Sequence, residues 1–353
     1  MAVYAKPKFS VQEVNLAGKR IVEALTLADD AFTAARGSYF DAFDVIDNYR
    51  ASHTYPLNSF NMTLKTRATH IYHRGFTAQR IKRLESIAMK LIAQDDMKLS
   101  QMQDIGGCRA IMPTLDAMIA LRRVYNDRPV THSFLGEKNY ISEPKNTGYR
   151  GIHLKYRFRG RGTSIPWDGK KIEIQLRTQL QHQWATAVEA AATFTKEALK
   201  SNRGRQEWLR FFALMSSVFA LREGCPTVPG TAGDMASLQK EIRELNGAHR
   251  MQAVFAKYRA LIPHIERQAH AGYFLVTLNP AKLEVTVKGF KKQESQAANK
   301  AYIQAETVLP KSTNVVLVSV SSIAALKRAY PNYFLDTADF LSEVAAITGE
   351  PMV

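Results

Sequence analysis

Tyr140-Ile141-Ser142-Glu143-Pro144-Lys145-Asn146-Thr147-Gly148-Tyr149-Arg150-Gly151-Ile152-His153 and, after a short spacer, Glu173-Ile174-Gln175-Leu176-Arg177-Thr178 form the most informative stretch of this chain of 353 residues. In a strand, residues two apart share a face, so Glu173, Gln175 and Arg177 project together while Ile172, Ile174 and Leu176 turn to the core. Alone, that is the pattern of any half-buried strand with a polar outer face. The preceding loop adds chemistry of its own. Pro144 and Gly148 predict a tight turn, Lys145 and Arg150 flank it, and Tyr149 offers a stacking surface for a base. Cations, an aromatic platform and an acid are what a metal-assisted reaction on a nucleotide requires.

Composition narrows the class. Lys and Arg number 48 against 32 Asp and Glu, a formal net charge of +16. Such a surplus points to a polyanionic partner, nucleic acid before a lone nucleotide, with a merely solvated basic surface as the alternative. It is unevenly placed. Residues 230–353 carry 14 basic and 11 acidic side chains, whereas residues 1–229 carry 34 and 21. Cys108 and Cys225 stand far apart with no C-x-x-C partner, which excludes a disulfide framework or a cysteine-rich zinc site and suits a reducing cytosol. The first residues hold no apolar signal segment. The most apolar stretch, Phe211 to Leu221, is too short to span a bilayer. A cytoplasmic protein with no membrane association and no zinc is expected.

The chain reads in four parts. Residues 1–58 are helical in pattern, ending near the His53…Pro56 turn. Residues 59–200 form a mixed α/β core. In it, Thr69 to His73 alternates like a strand, and Arg80 to Ile92 predicts an amphipathic helix with Ile81, Leu84, Ala88 and Leu91 on one stripe. Arg109 to Met112 reads as a strand, Leu115 to Tyr125 as a helix and Ile152 to Phe158 as a strand. A turn at Trp167-Asp168-Gly169-Lys170 leads into the Glu173 strand, and Gln179 to Leu199 predicts a long helix. Residues 201–230 connect, with Gly224, Pro226, Pro229 and Gly230 marking a boundary. Residues 231–353 read as helix, hairpin, helix, strand, helix. The hairpin pairs Tyr273 to Leu278 with Lys282 to Val287 across Asn279-Pro280, and Asn314 to Val320 is the later strand.

Four segments in order resemble the synthetase domain of the RelA/SpoT family. They are Gln79-Arg80-Ile81-Lys82-Arg83-Leu84-Glu85-Ser86-Ile87-Ala88-Met89-Lys90, Gln103-Asp104-Ile105-Gly106-Gly107-Cys108-Arg109, the Tyr140 to His153 loop, and Glu173 to Thr178. The resemblance implies an α+β fold: a mixed-sheet, nucleotidyltransferase-like synthetase domain with flanking helices. It implies an ATP-dependent pyrophosphokinase that moves pyrophosphate from ATP to a ribose 3′-hydroxyl. Asp104 and Glu173 match the family's catalytic and Mg²⁺-binding carboxylates. Arg80, Lys82, Arg83, Ser86, Lys90 and Arg109 match the ATP side. Lys145, Tyr149, Arg150, His153, Gln175, Arg177 and His182 match the acceptor side. Read as a helix histidine satisfied by a neighbour, His182 has an ordinary alternative.

A single synthetase domain followed by a small tail with a Y-x-x-Y element, Tyr330 and Tyr333, is similar to the fused toxic small alarmone synthetases of the CapRel type. That resemblance implies a C-terminal α/β domain like a zinc-finger fold without its metal. It also implies that Tyr330 and Tyr333 block the ATP pocket until a phage protein, typically the major capsid protein, is sensed. The alternative for the two tyrosines is an aromatic cluster closing the tail's own core. Three functions stay open: a toxin modifying the 3′-terminal adenosine of tRNA, a (p)ppGpp or (p)ppApp synthetase acting on free nucleotides, and a non-catalytic RNA- or ribosome-binding protein. A monomer is favoured, though the sequence does not specify the oligomeric state.

Overall fold

A computed structural model of the chain describes residues 4–26, 41–195, 205–249, 251, 255, 262–266, 271–279, 282, 284–308, 313–319, 322–330, 334 and 337–349. Tyr333 and Pro280 lie outside the described residues. Helices run in chain order from α1 (Val11–Thr26), with α8 (Met235–His249) opening the tail.

The Glu173 segment forms β5 (Lys171–Thr178), with Ile172, Ile174 and Leu176 fully buried, as its alternation predicts. Its neighbours build a mixed sheet outward from it. On one side β5 pairs antiparallel with β4 (Ile152–Arg157), which pairs with β3 (Ser133–Asn139). On the other it runs parallel to β2 (Gly106–Met112), which pairs antiparallel with β1 (Phe76–Ile81). One face of these strands is closed by α3 (Thr54–Ile71) and α5 (Leu115–Asp127). Leu57, Phe60, Leu64 and Ala68 of α3 pack with Met118 and Leu121 of α5 on Cys108, Ala110, Ile152, Leu154, Ile172 and Ile174. That leaves the opposite face for polar side chains.

Three expectations are corrected. Thr69 to His73 is not a strand, because Thr69–Ile71 completes α3, whose Leu57, Phe60, Leu64 and Ala68 follow helical spacing. Pro56 therefore begins a helix rather than ending one; in its first turn the missing N–H costs nothing. Arg80 lies on β1, and the helix α4 spans only Leu84–Ala93. The 3.6-residue stripe holds for Leu84, Ala88 and Leu91, but Ile81 belongs to the strand before it.

The tail is joined to this sheet. Four tail strands, β6 (Ile262–Glu266), β7 (Ala271–Asn279), β8 (Glu284–Lys291) and β9 (Asn314–Ser319), extend it in the order β1-β9-β7-β8-β6. The hairpin forms as expected, with Leu278 opposite Val285 and Thr277 opposite Thr286. The junction is short: Gln79 pairs with Ser319 and Arg80 with Val318. Behind it, Phe274, Val276, Val316 and Val318 share one core with Ala78, Trp184, Phe211, Phe212 and Met215. Those last residues, apart from Ala78, come from α6 (Gln179–Thr195) and α7 (Gln206–Arg222), whose apolar run is a buried helix. Among the described residues no helix is long and apolar enough to cross a membrane.

A second tail contact is polar and buried. Arg50, in the helix at residues 41–51 (α2), is 3% exposed and binds Asp47 at 2.9 Å and Glu306 at 2.9 Å. It also donates to the Tyr302 hydroxyl at 2.8 Å and the Lys82 carbonyl at 3.1 Å. Tyr302 and Glu306 come from tail helix α9 (Ser295–Val308). Glu306 further accepts from the Leu84 N–H at 3.3 Å, at the N-terminus of α4, where a carboxylate is favoured by the helix dipole. Removing one partner of a buried pair strands the other charge, so Arg50→Ala is expected to cost about 3–5 kcal/mol. Denaturant unfolding measures this; a loss below about 1 kcal/mol would mean that the cluster is not holding the tail.

Candidate active site

The register of the sheet arranges the open face as a lattice. One row across the strands reads Arg80 on β1, Gly107 on β2, Glu173 on β5, Lys155 on β4 and Gly136 on β3. The next reads Ala78, Arg109, Gln175, His153 and Lys138. Directly paired residues point to the same side of a sheet. Basic side chains thus flank a central carboxylate from both sides. A cleft of about 250 Å³ opens over this lattice, lined by Arg80, Lys82, Asp104, Arg109, Lys145, Tyr149, His153, Glu173, Gln175, Arg177 and Tyr330, among others.

Asp104 sits just before β2, where Lys82 reaches one carboxylate oxygen at 2.8 Å and Lys90 of α4 the other at 2.9 Å. Burial alone pushes this carboxyl up, but the two ammonium groups outweigh it and hold it at about 2. The same burial holds Lys82 below its ordinary value despite Asp104. The pair's net stabilisation is therefore smaller than the shift of Asp104 alone implies, and its role is to fix two cations beside the acid.

Glu173 is 8% exposed, and each of its oxygens meets one partner. His153 Nδ1 lies 3.0 Å from Oε1, and Gln175 donates to Oε2 at 2.8 Å. Burial raises this carboxyl; His153 and Gln175 more than offset it, leaving Glu173 below its usual range and ionised at neutral pH. The chain of contacts continues. His153 Nε2 is 2.5 Å from the Tyr149 hydroxyl, which accepts from Arg177 at 3.1 Å. Burial works against a charged His153, but Tyr149 and Glu173 win and raise it. Burial likewise opposes the Tyr149 phenolate, yet Arg177 and His153 pull the phenol down to about 8.

Below the raised His153 value, an imidazolium donates to Glu173 and weakens it as a base. As pH rises through that value the imidazole becomes neutral and Glu173 a better proton acceptor. The rate of transfer is expected to rise with pH through an ionisation above the ordinary histidine value of about 6.5, and His153→Gln to flatten that limb. Stability runs the other way: the His153 contribution is full below about 6.5 and is lost as pH rises through the folded value. A pH–rate profile unchanged in His153→Gln would separate His153 from Glu173 function.

The Tyr140 to His153 loop is built as its turn residues predict. Tyr140 N–H bonds the Gly151 carbonyl at 2.9 Å, and Gly148 N–H bonds that of Lys145 at 2.8 Å. Gly148 has φ +90, and a Cβ there would come within 2.9 Å of Trp184 and 3.1 Å of the Phe212 carbonyl. Only glycine lets the loop seat on α6 and α7, where Ser216 also binds its carbonyl at 2.6 Å. Lys145 lies over Tyr140 at 4.6 Å and over Tyr149 at 5.4 Å, and Arg177 over Tyr149 at 5.2 Å. Stacking a base on Tyr149 therefore requires these cations to shift.

Four of the expected site residues fall elsewhere. Arg150 is buried and ion-paired with Glu223 at 2.8 Å, a carboxylate that also holds Thr178 and Gln181. Its charge organises the junction of β5, α6 and α7. His182 lines a separate cavity of about 550 Å³ with Gln179, Gln183, Thr186 and Asp339, which holds no paired carboxylates. Arg83 donates to Asn314 of the tail at 2.5 Å. Ser86 lies on α4 and is not among the residues lining the cleft. The structure adds Gly107, Thr147, Trp184 and Glu189 to the cleft wall. Trp184 and Glu189 come from a helix remote in sequence from the loop, so only the folded sheet brings them in.

Tyr330 follows the tail helix α10 (Ile323–Ala329) and is 2% exposed. Its ring lies 4.5 Å from the Arg109 guanidinium, inside the cleft. Burial lowers Arg109 to about 10, with Tyr330 opposing the shift. Both carboxylates supply the hard oxygen donors that Mg²⁺ prefers, and two suffice when substrate phosphates and water complete the shell. No cluster of three or more metal-ligating side chains occurs among the described residues.

Residues 79–198 match the family model described as a region found in RelA / SpoT proteins. Several solved structures are similar to parts of the chain. Small alarmone synthetase 1 from Bacillus subtilis is 20% identical, covering 57% of this chain and 99% of that one, with a TM-score of 0.43. Small alarmone synthetase 2 from the same organism is 19% identical over 50% of this chain and 93% of that one, with a TM-score of 0.42. A GTP pyrophosphokinase family protein from Streptococcus pneumoniae is 18% identical over 50% and 89%, also at 0.42. No curated protein matches the chain. The matched span contains Arg80, Lys82, Asp104, Arg109, Tyr149, His153 and Glu173, so residues 79–198 are similar to the region found in RelA / SpoT proteins, and the chain is an ATP-dependent pyrophosphokinase.

Proposed function

We propose that this pyrophosphokinase acts on the 3′-hydroxyl of the 3′-terminal adenosine of tRNA, blocks translation by doing so, and is held shut by its own tail. The observation that carries the catalytic part is the cleft in which Asp104, gripped by Lys82 and Lys90, stands with Glu173. Arg80, Lys82, Lys90 and Arg109 supply fixed cations for the triphosphate, so that charge developing at the transferred group meets groups already in place. Glu173, ionised and oriented by His153 and Gln175, takes the proton from the attacking hydroxyl. The oxygen attacks the β-phosphorus and AMP leaves. Mg²⁺ held by Asp104 and Glu173 would neutralise phosphate charge.

The autoinhibitory part rests on Tyr330. Its ring lies against Arg109, on the ATP side, in a cleft of about 250 Å³. Pockets for drug-sized ligands run to roughly 300–1,000 Å³, so a nucleoside triphosphate and an acceptor do not fit together until the tyrosine leaves. Tyr333 joins this proposal by sequence only. Release is assigned to a phage protein bound by the tail, the major capsid protein being the first candidate, in an antiviral role. The acceptor assignment rests on the +16 charge and its concentration before residue 230. A second reading, synthesis of guanosine or adenosine 3′-pyrophosphates from free nucleotides, is favoured by the compact cluster of Lys145 over the Tyr140 and Tyr149 rings. Incubation with [γ-³²P]ATP and either bulk tRNA or GDP decides between them. Label in tRNA supports the proposal; label confined to GDP overturns its acceptor.

A further inference from the structure

The lattice does not end at the catalytic carboxylate. Beyond Glu173, its first row continues to Lys155 on β4, and beyond Gln175 the second continues through His153 to Lys138 on β3. A third row places Arg157 beside Lys171. Strands lie roughly 4.8 Å apart, so these side chains carry positive charge about 10 Å from the acid to the free edge of the sheet.

Neighbouring cations of these rows repel one another. Lys155 is half-buried and lowered, first by burial and then by the charge of Lys138, against the opposing charge of Glu173. Lys171 is lowered by burial and by Arg157. Among the described residues, the ion pairs on this face join Lys82 and Lys90 to Asp104 and His153 to Glu173. Lys138, Lys155 and Arg157 enter none of them. Glu137, the acid nearest in sequence, is bonded to Arg122 instead. Opposite Lys155 the edge strand has Gly136 at a bulge, with φ +133, and a Cβ there would meet nothing within 4 Å. The floor beside the lysine is therefore open. Cations gathered on an open sheet edge favour a polyanion that covers them.

We propose that Lys155, Lys138 and Arg157 form a phosphate track for an RNA strand whose 3′ end lies at Glu173, so that the enzyme reads the chain leading up to the acceptor hydroxyl. This rests on the tRNA reading above and deepens it. A nucleoside diphosphate carries only its two 5′-phosphates, which end within about 10 Å of its 3′-hydroxyl, whereas a phosphodiester chain runs on past the β3 edge, so loss of the edge cations is expected to weaken tRNA more than GDP.

The test uses the full chain and bulk deacylated tRNA, with binding measured over roughly 50–200 mM salt. Lys138→Ala with Arg157→Ala is compared with a control of equal charge on the tail, Lys240→Ala with Lys288→Ala. Removing one phosphate-neutralising cation reduces the salt slope by about 1. The track pair is therefore expected to lower the slope by about 2 and to weaken binding about tenfold or more, and the control pair to do neither. An unchanged slope, or an equal weakening in the control, overturns the track. The acceptor reading is scored separately, by label transfer in the Tyr330→Ala background. There, reduced transfer to tRNA with GDP transfer unaffected supports the track, while an equal reduction toward both overturns it. Label found only in GDP with the track residues intact counts against the acceptor assignment and not against RNA binding.

Discussion

Glu173→Gln is expected to lower pyrophosphate transfer by roughly 10²–10⁴-fold, the range that a positioned general base supplies. The substitution keeps shape and removes one charge. Glu173 accepts from both His153 and Gln175, and a glutamine can accept from only one of them while its amide nitrogen faces the other. The stability cost is therefore one hydrogen bond, about 1–2 kcal/mol, unless the Gln175 amide turns over to accept. Denaturant midpoints and label transfer measured on the same preparation separate the two effects. Activity within a few-fold of wild type in a folded Glu173→Gln protein would remove Glu173 from the reaction.

Tyr330→Ala is expected to raise basal transfer at least about tenfold, because a plug whose removal frees a site shifts the population of competent molecules. Emptying a buried aromatic position also costs about 3–5 kcal/mol. Tyr330→Phe keeps the ring over Arg109 and is expected to stay shut, so it controls for the loss of the hydroxyl. Lower activity in Tyr330→Ala, with the Glu173 region still folded, would instead make Tyr330 a structural residue of the tail. The Arg50 cluster gives a further handle. Arg50, Tyr302 and Glu306 tie α9 to α2 and, through the Leu84 N–H, to the start of α4, and loss of the cluster is expected to act in the same direction as loss of Tyr330.

The β5 strand and its partner loop were legible in the sequence because their signals are local. Period-two alternation fixes which of Glu173 to Thr178 face the cleft, and Gly148 and Pro144 specify a turn within a few residues. The first strand was not legible in this way. Ala78-Gln79-Arg80-Ile81 owes its extended form to pairing with Gly106 to Arg109 and, at its end, with Val318 and Ser319 of the tail. Neither partner is visible from the segment itself, whereas Leu84, Ala88 and Leu91 just after it carry a strong helical stripe. The edge strand Ser133–Asn139 is half-exposed and contains Gly136, so it lacks an alternating apolar signal. The Arg150 charge looked functional beside Tyr149, but its partner Glu223 lies 73 residues downstream at the end of α7. Continuity of the tail strands with the catalytic sheet is likewise a contact between distant segments, and a boundary of Gly and Pro near residue 230 conceals it.

Product analysis of the Tyr330→Ala protein tests the central claim most directly. With [γ-³²P]ATP and tRNA, the account predicts label on the tRNA 3′ end and release of one AMP per label incorporated, both abolished by adding Glu173→Gln. Release of ADP instead of AMP, or label that survives Glu173→Gln, would contradict pyrophosphate transfer at this site.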